Sequence, residues 1–257
     1  MIDILKAKEV FKEYVKDYDS EDGKIALKIA HTYRTADVAK NTAISLNLDE
    51  EDVNLAELIG LLHDIGRFEQ LRRYNTYSDK DSINHGEFGV KLLFEDGLIR
   101  EFIEEDKYDN IIKKAILNHN RKEIEEGLNE KELLHAKIIR DADKTDIFSF
   151  LVKDKVENIY CTNDISNEVI TPTVLEMFLK EPHIVDYSKM ESHVDSMVAY
   201  FGYIFNYNYN YGLKIIEEKS YLEKLYNKVK FKNKKTAKEI ELVYKMSKDY
   251  LEKRLKE

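Results

Sequence analysis

At positions 58–68 the sequence reads Leu-Ile-Gly-Leu-Leu-His-Asp-Ile-Gly-Arg-Phe. Nearly every position from Leu55 to Leu62 is apolar, which predicts the end of a buried helix with no face left for water. His63 and Asp64 follow side by side, and then comes Gly66, which is able to take the left-handed conformation that ends a helix. A buried carboxylate is costly unless a cation or strong donors compensate it, so the adjacent histidine and aspartate suggest a metal.

The composition indicates a helical protein of the reducing interior of the cell. Only 2 Pro and 9 Gly occur in 257 residues, against abundant Leu, Ile, Lys, Glu and Ala, which predicts an all-α fold. The net charge of −9 argues against general nucleic-acid binding, and the single cysteine excludes an internal disulfide and a cysteine metal cluster. The charged N-terminus does not resemble a signal peptide, and no run of about 18 apolar residues occurs, so we expect a cytoplasmic protein without a membrane segment.

The apolar periodicity predicts helices along the whole chain. A loop is predicted over 69–81, after which Ser82 could cap a helix that ends near Gly97. No linker rich in Pro, Gly or Ser separates the two halves. We predict one domain over 1–152 and a helical C-terminal extension over 153–257, which either packs on the same core or stands apart. The other predicted helices cover 2–18, 23–46, 107–119, 133–151, 173–180, 187–206, 212–229 and 235–256.

Several predicted helices each place a histidine or an aspartate on an inward face. These candidate metal ligands are His31, His63, Asp64, His85, His119 and Asp143. One histidine on an apolar face is most often an ordinary core residue, but the joint pattern favours a metal site. Imidazoles and carboxylates without thiols suit divalent Mn, Fe, Co, Ni or Zn. Six converging ligands would suffice for two ions about 3.5–4 Å apart, with one carboxylate bridging them.

The order of these residues resembles the defining motif of the HD superfamily of metal-dependent phosphohydrolases. Residues 63–66, His-Asp-Ile-Gly, match its HDIG variant letter for letter, and residues 140–144 are similar to the stretch around the family's final aspartate. The resemblance covers about residues 25–150. It implies an all-α HD-domain helical bundle, here extended by additional C-terminal helices.

The resemblance also implies a role for each candidate ligand. The first metal would be held by His31, His63, Asp64 and Asp143. The second would be held by His85 and His119, with Asp64 as the bridging ligand. A metal-activated water would then attack phosphorus in line.

Basic residues near the motif are candidates for contact with substrate. Arg67 stands three residues after Asp64, and we assign it to the catalytic machinery and to phosphate binding; the alternative is a surface ion pair. Lys144 either contacts substrate or orients the preceding aspartate, unless it is simply solvated. Arg34 is either a partner that orients a ligand or a phosphate clamp.

Other polar residues have weaker claims. Arg72 and Arg73 could line the rim of the pocket and bind substrate, although charged loop residues are usually solvated. His135, His183 and His193 lie outside the ordered motif and are interpreted as structural or surface residues. The aromatic segment 200–211 suggests core or a subunit interface, which leaves a homo-oligomer open.

The sequence therefore favours a metal-dependent phosphohydrolase, either a phosphomonoesterase or a phosphodiesterase. Its substrate would be a nucleotide or another small phosphorylated molecule. Two alternatives stay open: a non-catalytic regulatory protein that senses nucleotides, and a di-iron oxygenase, since a minority of HD proteins use the same ligands for oxygen chemistry.

Overall fold

The computed structural model describes residues 2–180 and 185–257, and these residues are largely helical and contain no β-strand. The predicted all-α fold is confirmed. The chain divides into two compact units, Met1–Asp146 and Ile147–Glu257. The predicted domain boundary after residue 152 lies in the helix that runs across this division, and it stays a prediction. Within the described stretches, no helix is long and apolar enough to cross a membrane.

The N-terminal unit is built from α-helices joined mostly by short turns. Short 3₁₀ and π-helical stretches, Val15–Asp17 and Lys91–Glu95, extend two of them. The helices are α1 (Ile4–Tyr14), α2 (Gly23–Ser45), α3 (Glu50–Leu62), α4 (Ile65–Tyr74), α5 (His85–Val90), α6 (Ile99–Phe102), α7 (Asp109–His119) and α8 (Glu130–Lys153), the last of which continues past residue 146.

Helix α3 is the apolar centre of this unit. Its residues from Leu55 to Leu62 are all buried, as their sequence predicts. It packs against α1, α2 and α7, and aromatic side chains such as Phe11 and Phe68 complete the cluster. At Gly60 a Cβ atom would lie 2.6 Å from the Cα of Ala36, so glycine is required for the close approach of α2 to α3.

The predicted end of the buried helix at His63 and Asp64 is confirmed, but the left-handed conformation suggested for Gly66 is wrong. The break between α3 and α4 falls at His63 and Asp64, and Gly66 lies within the first turn of α4. Among the described glycines, a positive φ occurs at Gly97 and Gly127 instead. The glycine at position 66 serves close packing, because a Cβ there would meet the carbonyl oxygen of His85 at 2.4 Å.

Two further boundaries differ from the prediction. The loop expected over 69–81 begins only at Asn75, whose left-handed φ of 53° ends α4. The cap expected at Ser82 is supplied by Asn84, whose side chain accepts hydrogen bonds from the backbone N–H groups of Gly86 and Glu87. Asparagine is as good an N-cap as serine, so composition alone did not decide between the two positions.

The C-terminal unit has a hydrophobic core of its own. Phe178, Val198, Phe201 and Leu213 are among its fully buried side chains, and the aromatic segment 200–211 contributes to this core. His183 lies outside the described residues. After the end of α8, the helices are α9 (Val156–Tyr160), α10 (Pro172–Leu179), α11 (His193–Gly202), α12 (Asn210–Glu218), α13 (Tyr221–Tyr226) and α14 (Lys234–Lys256).

A buried aspartate ties together the beginnings of α10 and α11. Asp195 is fully buried, and its carboxylate accepts hydrogen bonds from the backbone N–H of Thr171 at 2.8 Å and from the Thr171 hydroxyl at 2.7 Å. It also accepts from the backbone N–H groups of Glu191 and Ser192 at 2.9 and 3.0 Å. Burial alone would raise the pKa of Asp195, but these donors hold it below its ordinary value.

We expect Asp195→Asn to lower the free energy of unfolding at pH 7 by about 2–4 kcal/mol, because an amide cannot accept all four hydrogen bonds. A depressed pKa stabilises the fold above the unfolded-state value and loses that contribution as the pH falls through the folded-state value. The difference between wild type and variant should therefore be full at neutral pH and narrow below about pH 4. Urea unfolding at several pH values measures it, with Asp249→Asn on the exposed face of α14 as the control. A difference that does not change with pH would contradict this assignment.

Candidate metal centre

The N-terminal unit brings all six predicted ligand residues together from different helices. His31 comes from the middle of α2, and His63 and Asp64 come from the break between α3 and α4. His85 is the first residue of α5 and His119 is the last residue of α7. The sixth residue, Asp143, comes from α8.

The two carboxylate oxygens of Asp64 face two different pairs of histidines. Its Oδ2 lies 3.4 Å from the Nε2 of His31 and 3.5 Å from the Nε2 of His63. Its Oδ1 lies 3.4 Å from the Nε2 of His85 and 3.7 Å from the Nε2 of His119. Each group of three offers ligand atoms that all lie within 4.8 Å of one another. Asp64 thus has the position of a carboxylate shared between two adjoining sites.

Asp143 adds a second carboxylate on one side only. Its Oδ1 lies 3.2 Å from the Nε2 of His31 and 3.8 Å from the Nε2 of His63. The group around His31 therefore has two imidazoles and two carboxylates, whereas the group around His85 has two imidazoles and the shared carboxylate.

The position of Asp64 in the chain is that of a helix N-cap, yet it makes no side-chain capping hydrogen bond to α4. Other aspartates at the same position do cap their helices: Asp3 caps α1, Asp22 caps α2 and Asp49 caps α3. The carboxylate of Asp64 is turned instead into a buried cluster of imidazoles. A capping role does not account for this residue.

Hydrogen bonds at Nδ1 orient all four imidazoles. Each Nδ1 faces an oxygen that only accepts, which places a proton on Nδ1 and leaves Nε2 to point into the cluster. The acceptors are Asp146 Oδ2 for His31 at 2.7 Å, the Gly60 carbonyl for His63 at 2.7 Å, Asp79 Oδ2 for His85 at 2.6 Å and the Ile116 carbonyl for His119 at 2.6 Å. Imidazoles that bind metals are held in this way.

This orientation brings the Nε2 atoms of the imidazoles close together in pairs. The Nε2 atoms of His85 and His119 lie 2.9 Å apart, and those of His31 and His63 lie 3.2 Å apart. Burial lowers the pKa of His63 to about 3 and that of His85 to about 4, so these rings are neutral and offer lone pairs. A divalent cation on each side of Asp64 would satisfy both pairs. The donor set of nitrogen and oxygen atoms also fits such an ion.

Residues 29–147 match the model of a known family, the HD domain. The N-terminal unit contains an HD domain. This match confirms the resemblance of the sequence and supports a superfamily of metal-dependent hydrolases, and the His and Asp cluster could hold a metal ion. Comparison of the chain with curated proteins and with solved structures gave no match.

Two carboxylates of the HD domain orient ligand histidines by accepting hydrogen bonds from their Nδ1 atoms. The sequence analysis missed both of them. Asp146 accepts the hydrogen bond from His31, and Asp79 accepts the one from His85. Asp146 lies three residues after Asp143 on α8, so helical spacing places the two aspartates on the same face. The sequence could therefore have predicted Asp146 near the site. Asp79 lies in the loop between α4 and α5, where periodicity carries no information.

Arg34 and Arg67 each bind one of these supporting carboxylates. Arg34 donates to the two oxygens of Asp146 at 2.6 and 2.9 Å, which favours a role in orienting a ligand. Arg67 donates to Asp79 Oδ1 at 2.8 Å through Nη1, while its Nε is buried without a hydrogen-bond partner, 3.7 Å from Asp64 Oδ1. Arg67 thus lies next to the cluster, and its Nε–H group is available as a hydrogen-bond donor.

Two lysines lie at the ligand carboxylates. Lys28, which the sequence analysis did not consider, has its Nζ 2.5 Å from Asp64 Oδ2. Burial alone would raise the pKa of Asp64, but the charge of Lys28, foremost among several contacts, holds it well below its usual range. Burial, together with nearby Arg140, lowers the pKa of Lys144 to about 8.

Arg72 and Arg73 do not join the cluster. Both pair with Glu69, at 2.6 and 2.5 Å, and about half of each side chain is exposed. Two histidines outside the motif also have other contacts. His135 is buried with its Nε2 3.2 Å from Asp52 Oδ1, and the exposed His193 lies 2.8 Å from Glu168.

Glycines set how closely α4 approaches α5, and thereby where His85 stands relative to Asp64. A Cβ at Gly66 would lie 2.4 Å from the His85 carbonyl oxygen and 2.7 Å from the backbone nitrogen of Gly89, so no side chain fits there. Backbone atoms cannot move aside as the end of a flexible side chain can. The first turn of α5 therefore lies directly against the first turn of α4.

We expect Gly66→Ala to destabilise the protein by about 1–3 kcal/mol through this overpacking. It should also weaken metal binding, because α5 must move and carry His85 with it. Thermal unfolding and metal content after purification would measure both effects. Gly23→Ala at the start of α2 is the matched control, since a Cβ there meets nothing within 4 Å. A Gly66→Ala protein as stable and metal-rich as this control would refute the packing argument.

Proposed function

We propose that the HD domain binds two divalent transition-metal ions and hydrolyses a phosphate ester of a small molecule such as a nucleotide. The observation that carries the proposal is the arrangement at Asp64, where each carboxylate oxygen faces the Nε2 atoms of its own pair of imidazoles. In the proposed assignment His31, His63, Asp64 and Asp143 hold one ion. His85 and His119 hold the other and share Asp64 with the first.

The chemistry fits hydrolysis with a bound water as nucleophile. Divalent ions in such a pair lower the pKa of a bound water and neutralise charge on phosphoryl oxygens. The protein's part is to fix the ligands, and the hydrogen bonds of Asp79, Asp146 and the two backbone carbonyls do this for the imidazoles. This ligand set of imidazoles and carboxylates without cysteine suits Mn, Fe, Co, Ni or Zn. It also leaves coordination positions on the metals for water and substrate.

Arg67 is our candidate for binding the phosphoryl group. Its Nη1 donates to Gln70 Oε1, to the Tyr77 carbonyl and to Asp79, which fixes the guanidinium in place. The unpartnered Nε is then available to an anion bound next to Asp64. A fixed guanidinium suits the oxygens of phosphate, whose charge is spread over several atoms. Lys144, next to the ligand Asp143, is the second candidate.

Removing the shared carboxylate tests the proposal. We expect Asp64→Asn to lose bound metal from both sites and to reduce hydrolysis by more than the roughly 10–100-fold that loss of an outer partner costs. Elemental analysis gives the metal content, and a panel of aryl phosphates, bis-aryl phosphates and nucleotides gives the activity. Asp37→Asn, an exposed change of the same kind on α2, is the control.

The wild-type results decide between hydrolysis and its alternatives. The proposal predicts that the wild-type protein binds two equivalents of metal and hydrolyses at least one ester. It also predicts that Asp64→Asn loses both the bound metal and the hydrolysis. Metal binding without turnover of any ester, or an Asp64→Asn protein that retains its activity, contradicts it.

The supporting carboxylates should affect the two metals separately. Because Asp79 holds His85, Asp79→Asn is expected to weaken metal binding at the His85 side by about 10–100-fold and to leave the other side nearly unchanged. Because Asp146 holds His31, Asp146→Asn should do the reverse. Metal titration with isothermal calorimetry separates the two binding steps.

The neighbouring Asp81→Asn is the control for this pair, since Asp81 is exposed and its carboxylate accepts only from Ser78 among the contacts described. If both aspartate variants weaken the same binding step, the assignment of one supporting carboxylate to each metal is wrong.

A further inference from the structure

Lys28 holds the same carboxylate oxygen that the His31 site requires. Its ammonium lies 2.5 Å from Asp64 Oδ2, and that oxygen is also the one that faces His31 and His63. Lys28 stands on α2 three residues before His31 and just before residues 29–147, which match the HD domain. Lys28 is not one of the proposed metal ligands.

A second partner for the ammonium lies close by. The Nζ of Lys28 is 5.8 Å from the centre of the Tyr77 ring, and the Arg67 guanidinium lies at the same distance, 5.8 Å, from that ring. The Tyr77 hydroxyl donates to the backbone carbonyl of Lys24, which fixes the ring against α2. Since an aromatic ring attracts a cation over its face, the Tyr77 ring is a second stabilising contact for the ammonium beside Asp64.

An ammonium and a metal ion on one carboxylate oxygen repel each other. The repulsion is strong here, because Asp64 is only 3% exposed and the surrounding helices exclude water. The carboxylate has one oxygen on each side, so its other oxygen, which faces His85 and His119, does not offer the His31 site a substitute. Both cations therefore cannot be held at Oδ2 without loss of affinity.

We propose that Lys28 is a built-in counter-ion that competes with the metal for Asp64 Oδ2, so that loading of the His31 site displaces the ammonium from this carboxylate. Without a metal, Lys28 neutralises a buried charge and keeps the cluster from unfolding. With a metal, it moves toward Tyr77 and remains beside the site as a mobile positive charge. The inference rests on the His31 metal site and holds whatever reaction the domain catalyses.

The first test removes the charge of Lys28 and measures metal affinity. We expect Lys28→Gln to bind Mn²⁺ at its tighter site about tenfold more strongly than wild type. The reason is that removal of a like charge at this distance shifts the logarithm of the binding constant by about one or more. The chelator-treated Lys28→Gln protein should melt at a lower temperature than chelator-treated wild type, because Asp64 has lost its cation. Competition with a fluorescent chelator measures affinity, and differential scanning fluorimetry measures melting.

Lys24→Gln is the matched control, since Lys24 lies one turn earlier on α2 with an exposed side chain. It makes the same change of charge one helical turn farther from His31 and should leave both measurements near the wild-type values. If Lys28→Gln binds Mn²⁺ no more tightly than Lys24→Gln, the competition does not exist and the proposal is wrong.

The second test uses wild-type protein and does not depend on the folding of a variant. Lys28 is 18% exposed, so reductive methylation of its amine, followed by peptide mass spectrometry, reports how firmly it is paired. We expect Mn²⁺ to increase methylation of Lys28 several-fold while that of Lys24 stays constant. Unchanged or slower methylation of Lys28 on Mn²⁺ binding would overturn the proposal. A wild-type protein that binds no Mn²⁺ would overturn it as well, together with the metal site itself.

Discussion

The N-terminal unit depends on one buried carboxylate that its own backbone leaves unsatisfied. Asp64 stands at the break between α3 and α4, where an aspartate ordinarily caps the helix that follows, but its side chain makes no capping bond. The carboxylate is 3% exposed and is surrounded by the Nε2 atoms of four histidines. Burial of such a charge is costly unless cations compensate it. The groups around the break either provide a cation, as Lys28 does, or are able to hold one, as the imidazoles are.

The all-α fold and most of the long helices could be predicted from the sequence, because their apolar spacing is regular, whereas α4 was missed and its second half was assigned to a loop. Periodicity also put His31, His119 and Asp143 on inward faces, and the structure brings them to one cluster. The role of Gly66 was mispredicted, since glycine has two uses that look alike in a sequence. At position 66 it permits close contact with α5, and only the three-dimensional structure shows the neighbouring backbone atoms.

The groups that the sequence did not reveal share one property: they act through a hydrogen bond to another side chain. Asp79 is a loop residue that reaches His85, and Lys28 is a lysine on α2 that reaches Asp64. Neither belongs to a spacing pattern, because the partner comes from a distant part of the chain. Arg72 and Arg73 show the opposite case, in which residues close to the motif in sequence pair with Glu69 instead. Nearness in sequence to His63 and Asp64 is therefore a poor guide to the outer part of the site.

Two buried aspartates show why the chemistry belongs to the N-terminal unit. Asp195 in the C-terminal unit accepts four hydrogen bonds from backbone and hydroxyl donors, so its charge is satisfied by neutral groups and it holds two helix ends in place. Asp64 is also buried but faces the Nε2 atoms of four imidazoles, and a lysine ammonium is its closest compensating charge. A carboxylate of the first kind needs nothing further. One of the second kind needs a cation, which is either the Lys28 ammonium or a metal ion held by the surrounding imidazoles, and this is why the proposed metal chemistry belongs to the N-terminal unit.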